Sequence, residues 1–223
     1  MPQADSAPRL LIFAKAPLAG RVKTRLIPLL GCDGAAQLHA ALVEHTLAVA
    51  TESPIGALEL HGAPADNAFL RACALRHGAR LVDQSDGDLG ARMYNALQAA
   101  LAQSSFAILI GTDCPAMTAD YLQQAAAALH SGNDVVLGPV EDGGYALIGA
   151  RRIDDALFRA ISWSTASVMD ETRARLRELM WRWAELSTLW DVDGPRDYER
   201  LRASGLVSLP ELETAGTAHT YIG

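Results

Sequence analysis

Four cations crowd one short stretch of an otherwise acidic chain. Lys15, Arg21, Lys23 and Arg25 fall within eleven residues, with Gly20 among them. A glycine lets backbone approach a ligand closely, and clustered ammonium and guanidinium groups neutralise a diphosphate through charge-assisted hydrogen bonds. A solvated surface loop is the plain alternative for the same residues. Two phosphate motifs are excluded. The P-loop needs Gly-Lys-[Ser/Thr], and here Val22 precedes Lys23-Thr24. The dinucleotide pattern needs three spaced glycines, and this loop has only Gly20.

Carboxylates supply the complementary chemistry. Asp113 follows the apolar run Phe106–Ile110, and Asp191 and Asp193 alternate in a segment before Gly194-Pro195. In extended backbone, alternate side chains point the same way, so both aspartates can face one hard cation such as Mg²⁺ or Mn²⁺, which take oxygen ligands. Turn capping competes for Asp113, and helix capping for Asp193. A second acidic group, Glu141-Asp142-Gly143-Gly144, is either a glycine-rich hairpin turn or a place where carboxylates position an acceptor hydroxyl. Gly87 and Asp88 enter a helix that also carries Arg92, and can touch a nucleotide or merely form a loop. Ser167 with Asp170 reads as an approximate capping box, and the six His show no metal spacing.

These residues need a frame. Unalternating apolar runs at Arg9–Ala14, Phe106–Ile110 and Val135–Gly138 are the signature of strands buried on both faces, hence of a parallel sheet between helices. Further strands are predicted at Ile55–His61, Arg80–Asp83, Tyr145–Gly149 and Leu186–Asp191. Helices are predicted at Asp33–Thr51 with Asp33 as cap, Asp66–His77, Ala91–Gln103, Ala119–His130 capped by Thr118, Thr165–Arg182 as the longest, and Pro195–Ala203. The alternation predicts an α/β fold with a mostly parallel sheet, and ligands bind such sheets beyond the carboxyl ends of the strands. The candidate residues gather at those ends.

Composition narrows the class. The chain has 223 residues, 50% of them hydrophobic, and a formal net charge of -7. That is enough for a sizeable core and argues against a nucleic-acid-binding protein, whose footprint is a basic face. No composition break is visible, so one domain over residues 9–209 is expected. A flexible N-terminus over 1–8 and a weakly patterned tail over 210–223 would flank it. Three widely spaced cysteines suit a reducing cytoplasm. The longest apolar strings fall short of the ~20 residues of a membrane span, and the first residues lack a signal-peptide pattern.

Six motifs together resemble a known family. They are Phe13-Ala-Lys-Ala-Pro-Leu-Ala-Gly-Arg-Val-Lys-Thr-Arg-Leu26, Gly87-Asp-Leu-Gly90, Gly111-Thr-Asp-Cys-Pro115, Gly138-Pro-Val-Glu-Asp-Gly-Gly-Tyr145, Trp163-Ser-Thr165 and Asp191-Val-Asp193. In this order, over roughly Leu10 to Leu201, they are similar to a bacterial glycosyltransferase-like group, once labelled a domain of unknown function and related to the CofC/MobA nucleotidyltransferases. Its members are named radical-SAM/selenodomain-associated transferase 1, or arsenosugar-biosynthesis glycosyltransferase.

The resemblance implies a GT-A-like three-layer sandwich in which Mg²⁺ or Mn²⁺ bridges a nucleotide diphosphate. It makes Lys15, Lys23 and Arg25 phosphate ligands, Asp113 the principal metal ligand, and Asp193 with Asp191 further metal ligands. Asp113 is followed by Cys114-Pro115 and not by a second aspartate, which departs from the commonest glycosyltransferase pattern.

The expected activity is sugar transfer from a nucleoside-diphosphate sugar to a small-molecule acceptor. The alternative is CofC/MobA-like guanylyl transfer from a nucleoside triphosphate to a phosphorylated acceptor. A third reading, a non-catalytic nucleotide-binding protein, would be marked by loss of the metal carboxylates, and all three are present. If one ion serves Asp113 and Asp193, their carboxyl groups should stand within ~4–8 Å of each other.

Overall fold

The computed structural model describes residues 7–209; the expected tail over 210–223 and most of the expected N-terminal segment lie outside them. The chain runs β1 (Arg9–Lys15), α1 (Ile27–Glu52), β2 (Ala57–Ala63), α2 (Ala68–Arg76), β3 (Arg80–Asp83), α3 (Leu89–Leu101) and β4 (Ala107–Ile110). It continues with α4 (Ala119–His130), β5 (Val135–Pro139), β6 (Tyr145–Ala150), α5 (Val168–Glu178), β7 (Trp183–Glu185) and α6 (Pro195–Ser204). Among the described residues all seven strands form one sheet in the order β3-β2-β1-β4-β6-β5-β7. Only β6 runs against its neighbours, and it does so as the return arm of the hairpin from β5.

Both faces of the sheet are covered. On β1, Leu10, Ile12 and Ala14 join the core under α1, α2 and α4, while Leu11 joins the core under α3 and α5. That period of two, with no polar face, is why the strands read as unbroken apolar runs. A third apolar cluster joins α1 to α6 through Leu38, Leu42, Trp190 and Leu201.

The departures from sequence expectation have local causes. The range of α1 joins a short turn from Ile27, with Pro28 in it, to the long helix across Gly31, whose backbone is non-helical (φ 69°, ψ 172°), so the long helix starts close to the expected Asp33. The stretch Thr24–Glu52 is long and apolar enough, by length and composition, to cross a membrane. Here Leu38, Leu42, Val43 and Leu47 are fully covered by the rest of the fold, as in a central core helix.

α5 is shorter than expected, and α1 is the longest helix described. Ser164 and Met180, just outside its two ends, take positive φ. Ser167 turns its hydroxyl to Glu171, so the expected capping box does not form. The last strand pairs at Trp183–Glu185 and not at Leu186–Asp191. Within the expected range the chain still follows β5: Leu186 donates to Leu137, Leu189 donates to Pro139, and Leu189 pairs with Val140 in an isolated parallel bridge.

Candidate functional site

At the carboxyl edge of the parallel strands lies a cavity of about 570 Å³. The loop after β1 brings Lys15, Arg21, Lys23 and Arg25 to its wall. The turn after β4 brings Asp113, the β5–β6 hairpin brings Asp142, and the segment before α6 brings Asp191 and Asp193. A second, apolar side is made by Phe13, Leu89, Met93, Tyr145, Trp163 and Val168.

Burial periodicity aims the aspartate pair. Trp190 and Val192 are buried and alternate with Asp191 and Asp193, so the acidic side chains face the cavity. The Val192 amide donates to the Asp113 carbonyl at 2.9 Å and ties the two acidic segments together. Capping does not hold Asp193, because another residue does that work. Gly194 is the N-cap of α6, and the Asp197 carboxylate accepts from the Asp193 and Gly194 amides at 3.1 and 2.7 Å. The Asp193 carboxylate is left for the cavity.

Lys23 is bound to those carboxylates. Its backbone sits in the left-handed region (φ 47°, ψ 42°), a conformation that costs a non-glycine residue about 1–3 kcal/mol unless its surroundings enforce it. Leu26, fully buried three residues on, holds the turn in place. The Lys23 ammonium lies 2.5 Å from Asp113 Oδ1, 2.7 Å from the Val192 carbonyl oxygen and 3.6 Å from Asp193 Oδ1. The two carboxylate oxygens are therefore within about 6 Å of each other, with the ammonium near both. Its side chain is 5% exposed, against 76% for Arg25, whose guanidinium is 3.4 Å from Asp193 Oδ2.

The charges respond to this packing. Burial alone would raise the Asp113 carboxyl, but the Lys23 ammonium, with His39 and Lys15 adding to it, outweighs that and holds the group below the usual carboxylate range. Asp191 has no such partner. Burial, reinforced by the negative charges of Asp142, Asp193 and Asp113, pushes it up to about 6. His39, buried on α1, donates from Nε2 to the Lys15 carbonyl oxygen at 3.0 Å, and its Nδ1 lies 4.0 Å from Asp113 Oδ1. Burial lowers its pKa more than the Asp113 charge raises it.

Other residues singled out from the sequence lie elsewhere. Glu141 is outside the cavity wall, doubly hydrogen-bonded to Arg200, which stacks on Trp190 with its guanidinium carbon 4.3 Å from the ring centroid. Asp88 is the N-cap of α3, accepting from the Ala91 amide at 2.8 Å, and Gly87 supplies the positive φ before it. Gly20 also takes positive φ, in the turn that carries the basic residues, without lining the cavity. Asp142 does line it, and its Oδ1 accepts from the Gly144 amide at 2.8 Å.

Sequence reasoning passed over His39, Phe13 and Gln84. Gln84 follows β3, donates to the His61 carbonyl and accepts from Arg92 at 2.9 Å each. Its place one residue past a parallel strand was the available signal. His39 gave none, since it lies among the core positions of α1.

The sheet order and the site at the carboxyl edge define a GT-A-like fold, the architecture of nucleotide-diphospho-sugar transferases. The chain belongs to the family described as an uncharacterized protein conserved in bacteria (DUF2064), whose model matches residues 46–165. That match takes in Asp113, the hairpin turn and Trp163. A protein from Desulfovibrio desulfuricans G20, carrying the provisional name of a nucleotide-diphospho-sugar transferase, is 30% identical, with a TM-score of 0.82. The match covers 90% of this chain and 88% of that one.

More distant structures share the fold. A nucleotidyl transferase from Methanothermobacter thermautotroptrophicus is 17% identical with a TM-score of 0.58, covering 91% and 99% of the two chains. Glucosyl-3-phosphoglycerate synthase from Mycobacterium tuberculosis, determined with Mn²⁺, uridine diphosphate and glucosyl-3-phosphoglycerate, is 11% identical with a TM-score of 0.52, covering 91% and 78%. No curated protein matches the chain in sequence.

Proposed function

We propose that the protein is a divalent-metal-dependent glycosyltransferase that takes a nucleoside-diphosphate sugar and a small-molecule acceptor in the cytoplasm. The observation that carries this reading is the convergence of the basic loop and three carboxylates on one cavity. Its volume, about 570 Å³, suits a small ligand.

The oxygen chemistry of the donors suits a hard cation: Asp113, Asp191 and Asp193 would offer oxygen ligands, although among the described residues no three acidic, histidine or cysteine side chains already stand together as a metal cluster. Burial first, and then the negative charges of Asp142, Asp193 and Asp113, raise the Asp191 carboxyl, a cost that a cation would relieve. Mg²⁺ or Mn²⁺ bound there supplies electrostatic stabilisation to a departing diphosphate. Lys15, Arg21 and Arg25 line the same cavity and share that task, preorganised where negative charge develops. Asp142 is held by its bond to Gly144 and stands where it can orient an acceptor hydroxyl and take up its proton. Tyr145, Trp163 and Val168 form an apolar wall that limits water on the other side.

The likeness to nucleotidyl transferases favours a second reading, in which a phosphorylated acceptor attacks the α-phosphate of a nucleoside triphosphate, as in CofC/MobA-type guanylyl transfer. The same cations would then stabilise departing pyrophosphate. Product analysis separates the two. Release of free nucleoside diphosphate from a nucleotide sugar supports glycosyl transfer, and release of pyrophosphate from a triphosphate supports the second reading. Neither product, across the common nucleotides with Mn²⁺ present, would leave the protein a nucleotide-binding module.

A further inference from the structure

Lys23 meets one test of a phosphate ligand and fails another: it lies in the basic loop, yet all its visible partners belong to the protein. Its ammonium contacts Asp113, Asp193 and the Val192 carbonyl. Its ammonium donates to the Val192 carbonyl oxygen and is ion-paired with the two carboxylates, and the side chain is 5% exposed. The neighbouring cations differ. Arg25 is 76% exposed and reaches Asp193 at only 3.4 Å.

An ammonium near both carboxylates and a divalent cation cannot share that space. Positive charges a few ångströms apart repel. The two carboxylates are about half exposed (48% and 45%), so water can solvate them when the ammonium moves, whereas the ammonium, at 5% exposure, gives up its ion pairs. An anion in the cavity offers Lys23 a replacement partner, and Lys15, Arg21 and Arg25 line the same cavity.

We infer that Lys23 is an internal counter-ion of the Asp113–Asp193 pair that competes with a divalent cation for the two carboxylates and is drawn off them by a bound diphosphate. This rests on the metal-dependent reading above and adds to it a coupling between the two ligands. A metal and a diphosphate that each disfavour the Lys23–Asp113 contact help one another bind, and thermodynamic linkage makes that help reciprocal.

The test is direct Mn²⁺ binding, read by electron paramagnetic resonance without turnover, with and without uridine or guanosine diphosphate. Lys23→Gln and Lys23→Met should bind Mn²⁺ in the absence of nucleotide on the order of tenfold more tightly than the parent protein. Added diphosphate should improve Mn²⁺ affinity more in the parent than in either variant. Arg25→Ala removes an equal charge from the exposed side and should produce a smaller gain. Thermal melting checks that each variant is folded, and two replacements of different polarity guard against loss of one.

Equal nucleotide-free affinity in the parent and the folded Lys23 variants, with Mn²⁺ binding to the parent once diphosphate is present, would overturn the inference alone. An Arg25→Ala gain as large as that of Lys23→Gln would also overturn it, since general charge would then be the cause. Absence of Mn²⁺ binding from all proteins under all conditions would remove the metal site itself.

Discussion

The Asp197 carboxylate accepts the Gly194 amide at 2.7 Å and the Asp193 amide at 3.1 Å. One side chain thus closes the start of α6 and frees the neighbouring acid, Asp193, from the capping role its position suggests. The segment that presents the acidic pair is then fixed at both ends, by this cap and by the Val192–Asp113 main-chain bond.

Asp197→Ala should destabilise the protein by about 1 kcal/mol, the usual cost of a lost helix cap, seen as a lower denaturant midpoint with unchanged slope. It should also weaken nucleotide binding, because Asp193 would be drawn toward the open amides. Unchanged nucleotide affinity alongside reduced stability would mean that the cap does not govern the site.

The exposed arginine of the basic loop is best placed to report on phosphate. Arg25→Ala should lower affinity for nucleoside diphosphates by ~1.5–3 kcal/mol in calorimetry, the range for charge-assisted hydrogen bonds. The melting temperature should barely move, since the side chain is 76% exposed and bears only a long contact to Asp193. Unaltered affinity would reduce this part of the loop to solvated surface.

Two adjacent acids in the hairpin turn should behave differently. Asp142→Asn keeps an oxygen for the Gly144 amide, so the turn survives while the charge is lost, and kcat and kcat/KM should fall together. Glu141→Gln should spare turnover, because Glu141 faces Arg200 outside the cavity, and an exposed pair of this kind contributes ~0–1 kcal/mol. A Glu141→Gln enzyme as impaired as Asp142→Asn would restore Glu141 to the acceptor side.

Acid stability should depend on a pair remote from the cavity. Glu59 is 3% exposed on β2. Burial would raise its carboxyl, but hydrogen bonds from His61, Arg80 and Arg9 outweigh it and bring the pKa down to about 2. A depressed carboxylate stabilises the fold above its ordinary value of 4.5, and that contribution is lost as pH falls toward about 2. Glu59→Gln should cost on the order of 1–3 kcal/mol at neutral pH, and the difference from the parent should shrink across that acidic window. A constant difference down to pH 2 would show that packing, not charge, is what Glu59 contributes.

The α/β class, the mostly parallel sheet and the gathering of candidate residues at its carboxyl edge were legible in the sequence. Each rests on a local quantity: unalternating apolar runs, helix-period runs, and strand ends marked by glycine, proline and acids. Thr118 capping α4 and Pro195 opening α6 were equally local. Range ends were less secure. A short helical turn from Ile27 precedes the long helix, and the non-helical Gly31 separates the two just before the expected start at Asp33.

Partnership was decided only by the tertiary structure. Nothing in the spacing of Glu141 and Asp142 says which acid meets the cavity, because the answer depends on Arg200 of α6 folding back over Trp190. His39 and Gln84 reach the cavity through bonds to the main chain of β1 and β2. Lys23 belongs by sequence to the phosphate loop, yet it is bound to Asp113 and Asp193, on segments distant in the chain. A sequence fixes which charges exist and on which local element each rides. Which opposite charge stands within a few ångströms follows from how the elements pack, and electrostatic energy is decided at that distance.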